Sequence, residues 1–293
     1  VVQEGKPVRI AATVSGVVPE RAKIALRTGR GRPRVHKLPI VNGACEYTIE
    51  TAYRGFEYRL AAGDAREDAG IPGYEASLEA IGSLAARYVQ AGSNCYDLGC
   101  SLGAASLAMR QGIRAEGCRI VAIDNAPAMV ERCRGIVREE CLRQPAGAPI
   151  ELVEGDILDT DITNASMVVL NYTLQFLPPV DRRMLLSRVH AGLVPGGGLI
   201  LSEKIAAEDS EGNELLTEMH HTFKRANGYS EMEISRKRTA LDNVLIPETV
   251  PDALAKVQQV LARNAISADT HLSGASLEDV FVAVTMKPEE RAV

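Results

Sequence analysis

Between about Tyr74 and Ser202 the chain repeats one unit: a short apolar run, a polar or small residue at its end, then apolar residues at helical spacing. The runs at 94–98, 119–123, 150–153, 167–170 and 199–202 read as strands, and 78–89, 104–110, 127–141 and 181–193 as helices. Strands this uniformly apolar tolerate water on neither face. With a helix between neighbours they form a parallel sheet covered on both sides. Pro195-Gly196-Gly197-Gly198 is expected to stop the last of these helices before the strand at 199–202. Beyond it, 211–241 reads as two helices joined near Asn227-Gly228, 251–263 as another helix, and 280–284 as the last strand. The expected fold class is α/β.

The first 70 residues follow a different rule. Partly alternating runs at 8–14, 23–27, 45–49 and 56–60, punctuated by Gly, Pro and Asn, predict antiparallel strands. The basic arm 27–37 is expected to be a solvated connection. At roughly 150 residues per domain, 293 residues suggest two domains. The expected division is a β-rich segment over 1–70, a partial β-sandwich, and an α/β domain over 71–293.

Composition removes several function classes. With 46% apolar and 24% charged residues the chain is an ordinary globular protein, neither collagen-like nor disordered. No apolar run approaches the ~20 residues that span a bilayer. A formal charge of −5 supplies no basic field for nucleic acid or anionic lipid, so neither is an expected partner. Trp is absent and aromatics make up 4%, which argues against a stacking platform for single strands. Cys45, Cys95, Cys100, Cys118, Cys133 and Cys141 form no C-x-x-C pair, so no metal site is expected. The placement of Cys95, Cys118 and Cys133 in apolar runs suits a reducing, cytoplasmic compartment. The first residues lack a signal peptide's apolar core and an initiator Met. A processed, truncated or spliced chain is the expectation.

The first strand of the α/β unit ends in Asp97-Leu98-Gly99-Cys100-Ser101-Leu102-Gly103, and a helix follows at once. Three kinds of chemistry use such a turn. A dinucleotide loop places glycines so that backbone approaches a pyrophosphate at a helix N-terminus, but its middle glycine is Ser101 here. A nucleophile elbow, G-x-S-x-G, would make Ser101 the nucleophile. It normally follows several strands of its sheet, and neither His190 at a helix end nor His220-His221 within a helix has a triad context. The third is the acidic-x-Gly-x-Gly/Ser-x-Gly loop of S-adenosylmethionine (SAM) methyltransferases. Asp97 would orient the loop and the methionine ammonium there, while small residues let backbone pass close to the ligand.

The next strand ends in Asp124, 25 residues past Gly99, where a carboxylate can accept from both ribose hydroxyls. Asp156 ends the third strand and is placed to accept from the adenine amino group. Asn171 ends the fourth and would face the pocket beside the methyl group. A strand-end Asp or Asn is commonly just a cap or turn residue. Three acidic residues at successive strand ends, where ligands of open α/β sheets bind, favour the SAM reading.

With these residues in view, about 72–245 resembles the carboxy-S-adenosyl-L-methionine synthase family of the class I methyltransferase superfamily. The resemblance rests on Tyr96 to Ala105, Ala122-Ile123-Asp124-Asn125, Pro127-Ala128-Met129 and the run from Asn164 to Asn171. It continues in Leu201-Ser202-Glu203-Lys204 and Met219-His220-His221. Phe223-Lys224-Arg225-Ala226-Asn227-Gly228-Tyr229-Ser230 with Glu233-Ile234-Ser235 and Lys237-Arg238 is its most specific part, because the generic fold does not require it.

The resemblance implies a Rossmann-like, mostly parallel sheet with helices on both faces, preceded here by the β-rich segment. It implies a SAM-dependent carboxyl transferase that converts SAM and prephenate to carboxy-SAM and phenylpyruvate, for a partner transferase that modifies the tRNA wobble uridine. It implies a homodimer. The family's SAM contacts fall on Tyr74, Gly99, Cys100, Ser101, Asp124, Asn125, Asp156, Ile157 and Asn171, and its carboxylate-binding arginine on Arg238. The chemistry is coherent: a sulfonium acidifies its methyl protons, and a carbanion-like methyl can trap carbon dioxide released from prephenate. A guanidinium then suits the new carboxylate. His220-His221 are expected to be helix-interior residues with one packed ring.

Both ends depart from the family. Residues 1–70 replace a helical segment, and 56–65 resembles part of a bacterial immunoglobulin-like sandwich. The family's aromatic closing strands are missing after about 250, and 276–285 resembles the end of an ABC-transporter ATP-binding subunit. No GxxxxGK[ST] loop is present, so ATPase function does not follow. Two rivals remain: a conventional SAM-dependent small-molecule methyltransferase, and a non-catalytic SAM-binding mosaic.

Overall fold

A computed structural model describes residues 7–13, 21–28, 34–42, 44–49, 56–62, 71–241, 244–263, 268–276 and 279–286. The chain divides into two units, Val1–Gly70 and Ile71–Val293. In the first, β1 (Val8–Thr13) pairs antiparallel with β4 (Ala44–Ile49), and β2 (Arg21–Thr28) is flanked antiparallel by β3 (Arg34–Pro39) and β5 (Phe56–Ala62). Ile10, Ala22, Ile24, Leu38 and Cys45 are its buried core. The basic arm is therefore not wholly a loop: its second half is β3. Arg34, His36 and Lys37 stay exposed while their backbone pairs with β2, and Leu38 reaches the core. Positive charge on an edge strand keeps side chains wet without interrupting the ladder.

The second unit runs α1 (Tyr74–Tyr88), β6 (Asn94–Leu98), α2 (Ala104–Gly112), β7 (Arg119–Asp124), α3 (Pro127–Arg143), β8 (Ile150–Glu154) and β9 (Ala165–Asn171). After a 3₁₀ turn at Leu174–Phe176 come α4 (Pro179–Gly192), β10 (Leu193–Lys204), α5 (Ser210–Ala226), α6 (Glu231–Leu241), α7 (Val250–Arg263), β11 (Ala268–Ser276) and β12 (Asp279–Met286). The sheet order is β11-β12-β10-β9-β6-β7-β8. The five strands from β10 to β8 are parallel, β12 is antiparallel to β10, and β11 is antiparallel to β12. Chain order reverses between β6 and β9, the switch point where open α/β sheets bind ligands.

Two expectations change here. Pro195-Gly196-Gly197-Gly198 does not separate helix from strand. Helix α4 ends at Gly192, where a Cβ would stand 2.2 Å from the Ile162 carbonyl oxygen. The tetrapeptide lies inside β10, whose register against β9 shifts between Leu193 and Gly198. A proline and three small residues suit such a bulge, where ladder bonds are interrupted anyway. The foreign-looking tail also does more than supply one strand: it folds as the β11–β12 hairpin, and β12 pairs with β10 from Gly198 to Lys204. The hairpin covers the β10 edge, and β11 becomes the outer strand on that side.

Alternation along each strand splits the core in two. Cys95, Ile120, Met167, Val169 and Ile200 face Ile81 and Ala85 of α1 and Ala105 and Met109 of α2. Tyr96, Leu98, Val121, Ile123, Val168, Leu170, Leu199 and Leu201 face Leu185, Leu186 and Val189 of α4 and Val257 and Val260 of α7. Each fully buried aliphatic side chain contributes about 1.5–3 kcal/mol. Helices α1 and α2 cross in backbone contact: a Cβ on Gly112 would stand 1.9 Å from the Gly82 carbonyl oxygen.

Helix α6 starts with a reciprocal cap, the Ser230 N–H donating to Glu233 and the Glu233 N–H to Ser230 Oγ. Asp209 caps α5 by accepting the Gly212 N–H. No described helix is long and apolar enough to cross a membrane.

Candidate cofactor and active site

Strand register assembles the site. Asp97, Ala122, Val169 and Ile200 are neighbours across β6, β7, β9 and β10. Two residues further on, on the same face and at the carboxyl edge, stand Asp124, Asn171 and Ser202.

Asp97 is buried and accepts the Ser106 hydroxyl at 2.6 Å, which fixes the first turn of α2 to the end of β6. The connecting loop curls over β7: the Gly99 and Cys100 N–H groups donate to the Ile123 carbonyl at 2.8 and 2.9 Å. Gly99 has φ 80°, and a Cβ there would stand 2.4 Å from the Thr173 methyl. Its close approach is thus to the turn after β9, a requirement made by the protein itself.

Ser101, at φ 47°, donates its N–H to Asp124 Oδ2 at 2.8 Å, and the Ala126 N–H donates to Oδ1 at 2.9 Å. A carboxylate has about four acceptor sites, so each Asp124 oxygen can still receive a second donor. Asn125, between these contacts, is exposed.

Asp156 is exposed at the turn after β8, where its Oδ1 accepts the Leu158 N–H at 2.8 Å, and the next residue, Ile157, is buried. Tyr74, at the start of α1, is buried and stacks on Tyr172, with ring centroids 6.0 Å apart. Tyr172 follows Asn171 directly and donates its N–H to the Ser202 carbonyl at 2.7 Å.

Asn171 Oδ1 and Ser202 Oγ are buried and have no hydrogen-bond partner among the described residues. Spare acceptors on Asp124 and an orphaned amide oxygen beside a small-residue loop fit a nucleoside with a polar, cationic tail, as in SAM. A hydrogen bond shared with Cys133, together with burial, pushes the Cys100 thiol up, and burial pushes Cys95 up to about 12.

Arg238 is not part of this row. It is exposed on α6. Burial, and then the charges of Lys224, Arg225, Arg238 and Lys204, hold the His221 pKa below its ordinary value. His220 does more than pack in a helix interior: its Nδ1 lies 2.9 Å from Lys204 Nζ at the end of β10.

A second polar group, which no sequence motif marks, lies on the opposite face. Glu203 accepts the Leu174 and Gln175 N–H groups, each at 2.9 Å, and so fixes the 3₁₀ turn that follows the Asn171 end of β9. Burial pushes Glu203 up to about 8, opposed by those two N–H groups and by Arg182. Arg182, 1% exposed, donates to the carbonyls of Leu177, Gln175 and Ile246 and pairs with Glu248 at 3.0 Å; Lys256 also pairs with Glu248. The available signal was a glutamate directly after an apolar strand.

The methyltransferase domain family matches residues 96–197. A carboxy-S-adenosyl-L-methionine synthase of Aliivibrio fischeri is 57% identical over 180 residues, 61% of this chain and 73% of that one. One from Yersinia enterocolitica is 55% identical over 189 residues, 64% of this chain and 70% of that one.

Among solved structures, a Bordetella parapertussis protein described as a possible exported protein shares the fold at 14% identity, with TM-score 0.50 over 72% of this chain and 67% of that one. The chain spans about half of the mitomycin 7-O-methyltransferase MmcR, at 16% identity and TM-score 0.48, covering 72% of this chain and 54% of that one. These matches lend no support to the immunoglobulin-like and ATP-binding-subunit resemblances of the two ends. The fold is that of class I, Rossmann-like methyltransferases, and by its identity to these curated relatives the chain belongs to the carboxy-S-adenosyl-L-methionine synthase family.

Proposed function

We propose that this protein converts SAM and prephenate to carboxy-SAM, phenylpyruvate and water, as a cytoplasmic homodimer. Its product would serve a separate transferase that modifies the tRNA wobble uridine. Residues 1–70 are taken as a separate β-rich domain. In this reading Asp124 accepts the ribose hydroxyls and Asp156 the adenine amino group. Tyr74, Gly99, Cys100, Ser101, Asn125 and Ile157 complete the nucleoside contacts. Asp97 orients the methionine end, Asn171 lies beside the methyl group, and Arg238 binds the carboxylate that distinguishes product from substrate. Neither nucleic acid nor membrane is a direct partner.

The observation that supports this best is the Asp124–Asn171 row with its unsatisfied amide oxygen, in a chain 57% identical to a carboxy-SAM synthase. Bound SAM supplies a sulfonium that acidifies the methyl protons. One carboxyl group moves from prephenate to the methyl carbon, which gives up a proton, and that proton leaves with the prephenate hydroxyl as water.

The test is mass spectrometry of small molecules released from the purified protein, together with prephenate-dependent turnover. Carboxy-SAM in both is the expected result. Bound SAM with methyl transfer to an added acceptor would indicate a conventional methyltransferase, and bound SAM without turnover a non-catalytic mosaic.

A further inference from the structure

Ser202 belongs to none of the contacts assigned above, yet it is 2% exposed at the carboxyl edge of the sheet and its hydroxyl has no partner among the described residues. It is the register neighbour of Asn171, whose side-chain oxygen is likewise orphaned. A buried polar atom without a partner costs stability, and native structures keep few of them. Two side by side, at the switch point of an α/β sheet, mark a place where a ligand supplies the missing bonds.

Order along the sheet says which part of the ligand. From Asp124 on β7 the row passes β6 and its loop, then Asn171 on β9, then Ser202 on β10. At about 4.8 Å per strand, Ser202 lies roughly 14 Å from Asp124 and one strand beyond Asn171. If ribose sits at Asp124 and the methyl group by Asn171, the next position holds what is joined to the methyl. An amide oxygen can only accept, whereas a hydroxyl can donate, which suits a carboxylate oxygen.

We infer that Ser202 is a binding residue for the carboxyl group in transit, donating a hydrogen bond to it from the sheet. This inference rests on the carboxy-SAM reading above. Arg238, on α6, is a contact from a different element.

Ser202→Ala in the full chain is the test, because it removes one oxygen without adding volume. The ligand-free variant should melt at the wild-type temperature or above it, since no internal bond is lost. SAM affinity should stay within twofold of wild type, and carboxy-SAM affinity should fall at least fivefold. A lowered melting temperature, an unchanged carboxy-SAM affinity, or equal losses for both ligands would each overturn the inference. If wild type prefers carboxy-SAM and Ser202→Ala retains that preference, only this inference fails. If wild type does not distinguish the two ligands, the functional reading fails and this one with it.

Discussion

The Asp124 carboxylate accepts the Ser101 N–H at 2.8 Å and so ties the end of β7 to the loop that leaves β6. Its other oxygen holds the Ala126 N–H at the entry to α3. One side chain therefore shapes the loop and, in the proposed reading, offers its remaining acceptor sites to the ribose.

Asp124→Ala should weaken SAM binding at least tenfold. Two charge-assisted hydrogen bonds to ribose are each worth about 1.5–3 kcal/mol, and the loop loses its tether as well. Asp124→Asn, which keeps one acceptor oxygen, should fall between. Calorimetric titration checks the affinities, and circular dichroism checks that both variants fold. Unchanged SAM affinity would remove the ribose assignment.

Glu203 gives stability a pH dependence of defined sign. Its folded pKa is about 8 against an ordinary 4.5, so between those values the native state holds a proton that the unfolded state has lost. Unfolding free energy should then fall as pH rises through this window, by up to about 1.4 kcal/mol per pH unit from this group. Glu203→Gln keeps the shape and one acceptor and removes the slope. Urea unfolding at pH 5, 7 and 9 should show the variant gaining on wild type as pH rises. A constant difference would mean that Glu203 is ionised throughout.

Arg238→Ala should weaken carboxy-SAM binding by about 1 kcal/mol, the upper end for an ion pair made by an exposed guanidinium. SAM binding should change far less, since SAM has no carboxylate at that end. Lysine should rescue only in part, because a point charge does not reproduce a planar two-pronged contact. Paired titrations with both ligands decide it, and equal loss for both would leave Arg238 as a supporting residue of α6.

Gly112→Ala forces α1 and α2 apart, because the new Cβ would overlap the Gly82 carbonyl oxygen. A loss of about 3 kcal/mol in unfolding free energy is expected, at the upper end of overpacking costs. A loss below 1 kcal/mol would show that the two helices separate easily.

Period and punctuation along the chain were enough for the strands β6 to β9, for the helices between them, and for Asp124 and Asn171 at strand ends. These are local properties: a run of five apolar residues reports its own burial, and a polar residue at its end reports the edge. Arg34–Pro39 escaped this reading because its charged side chains look like a loop until β2 offers a ladder. Pro195-Gly196-Gly197-Gly198 looked like a stop because the bulge that accommodates it depends on β9. Ser202 and Glu203 are adjacent in the chain but serve opposite faces, one beside Asn171 and the other beneath the turn at Leu174. Which face was which, and what stood opposite, was decided by strand register and helix packing. Those depend on neighbours tens of residues away, whose geometry no local pattern contains.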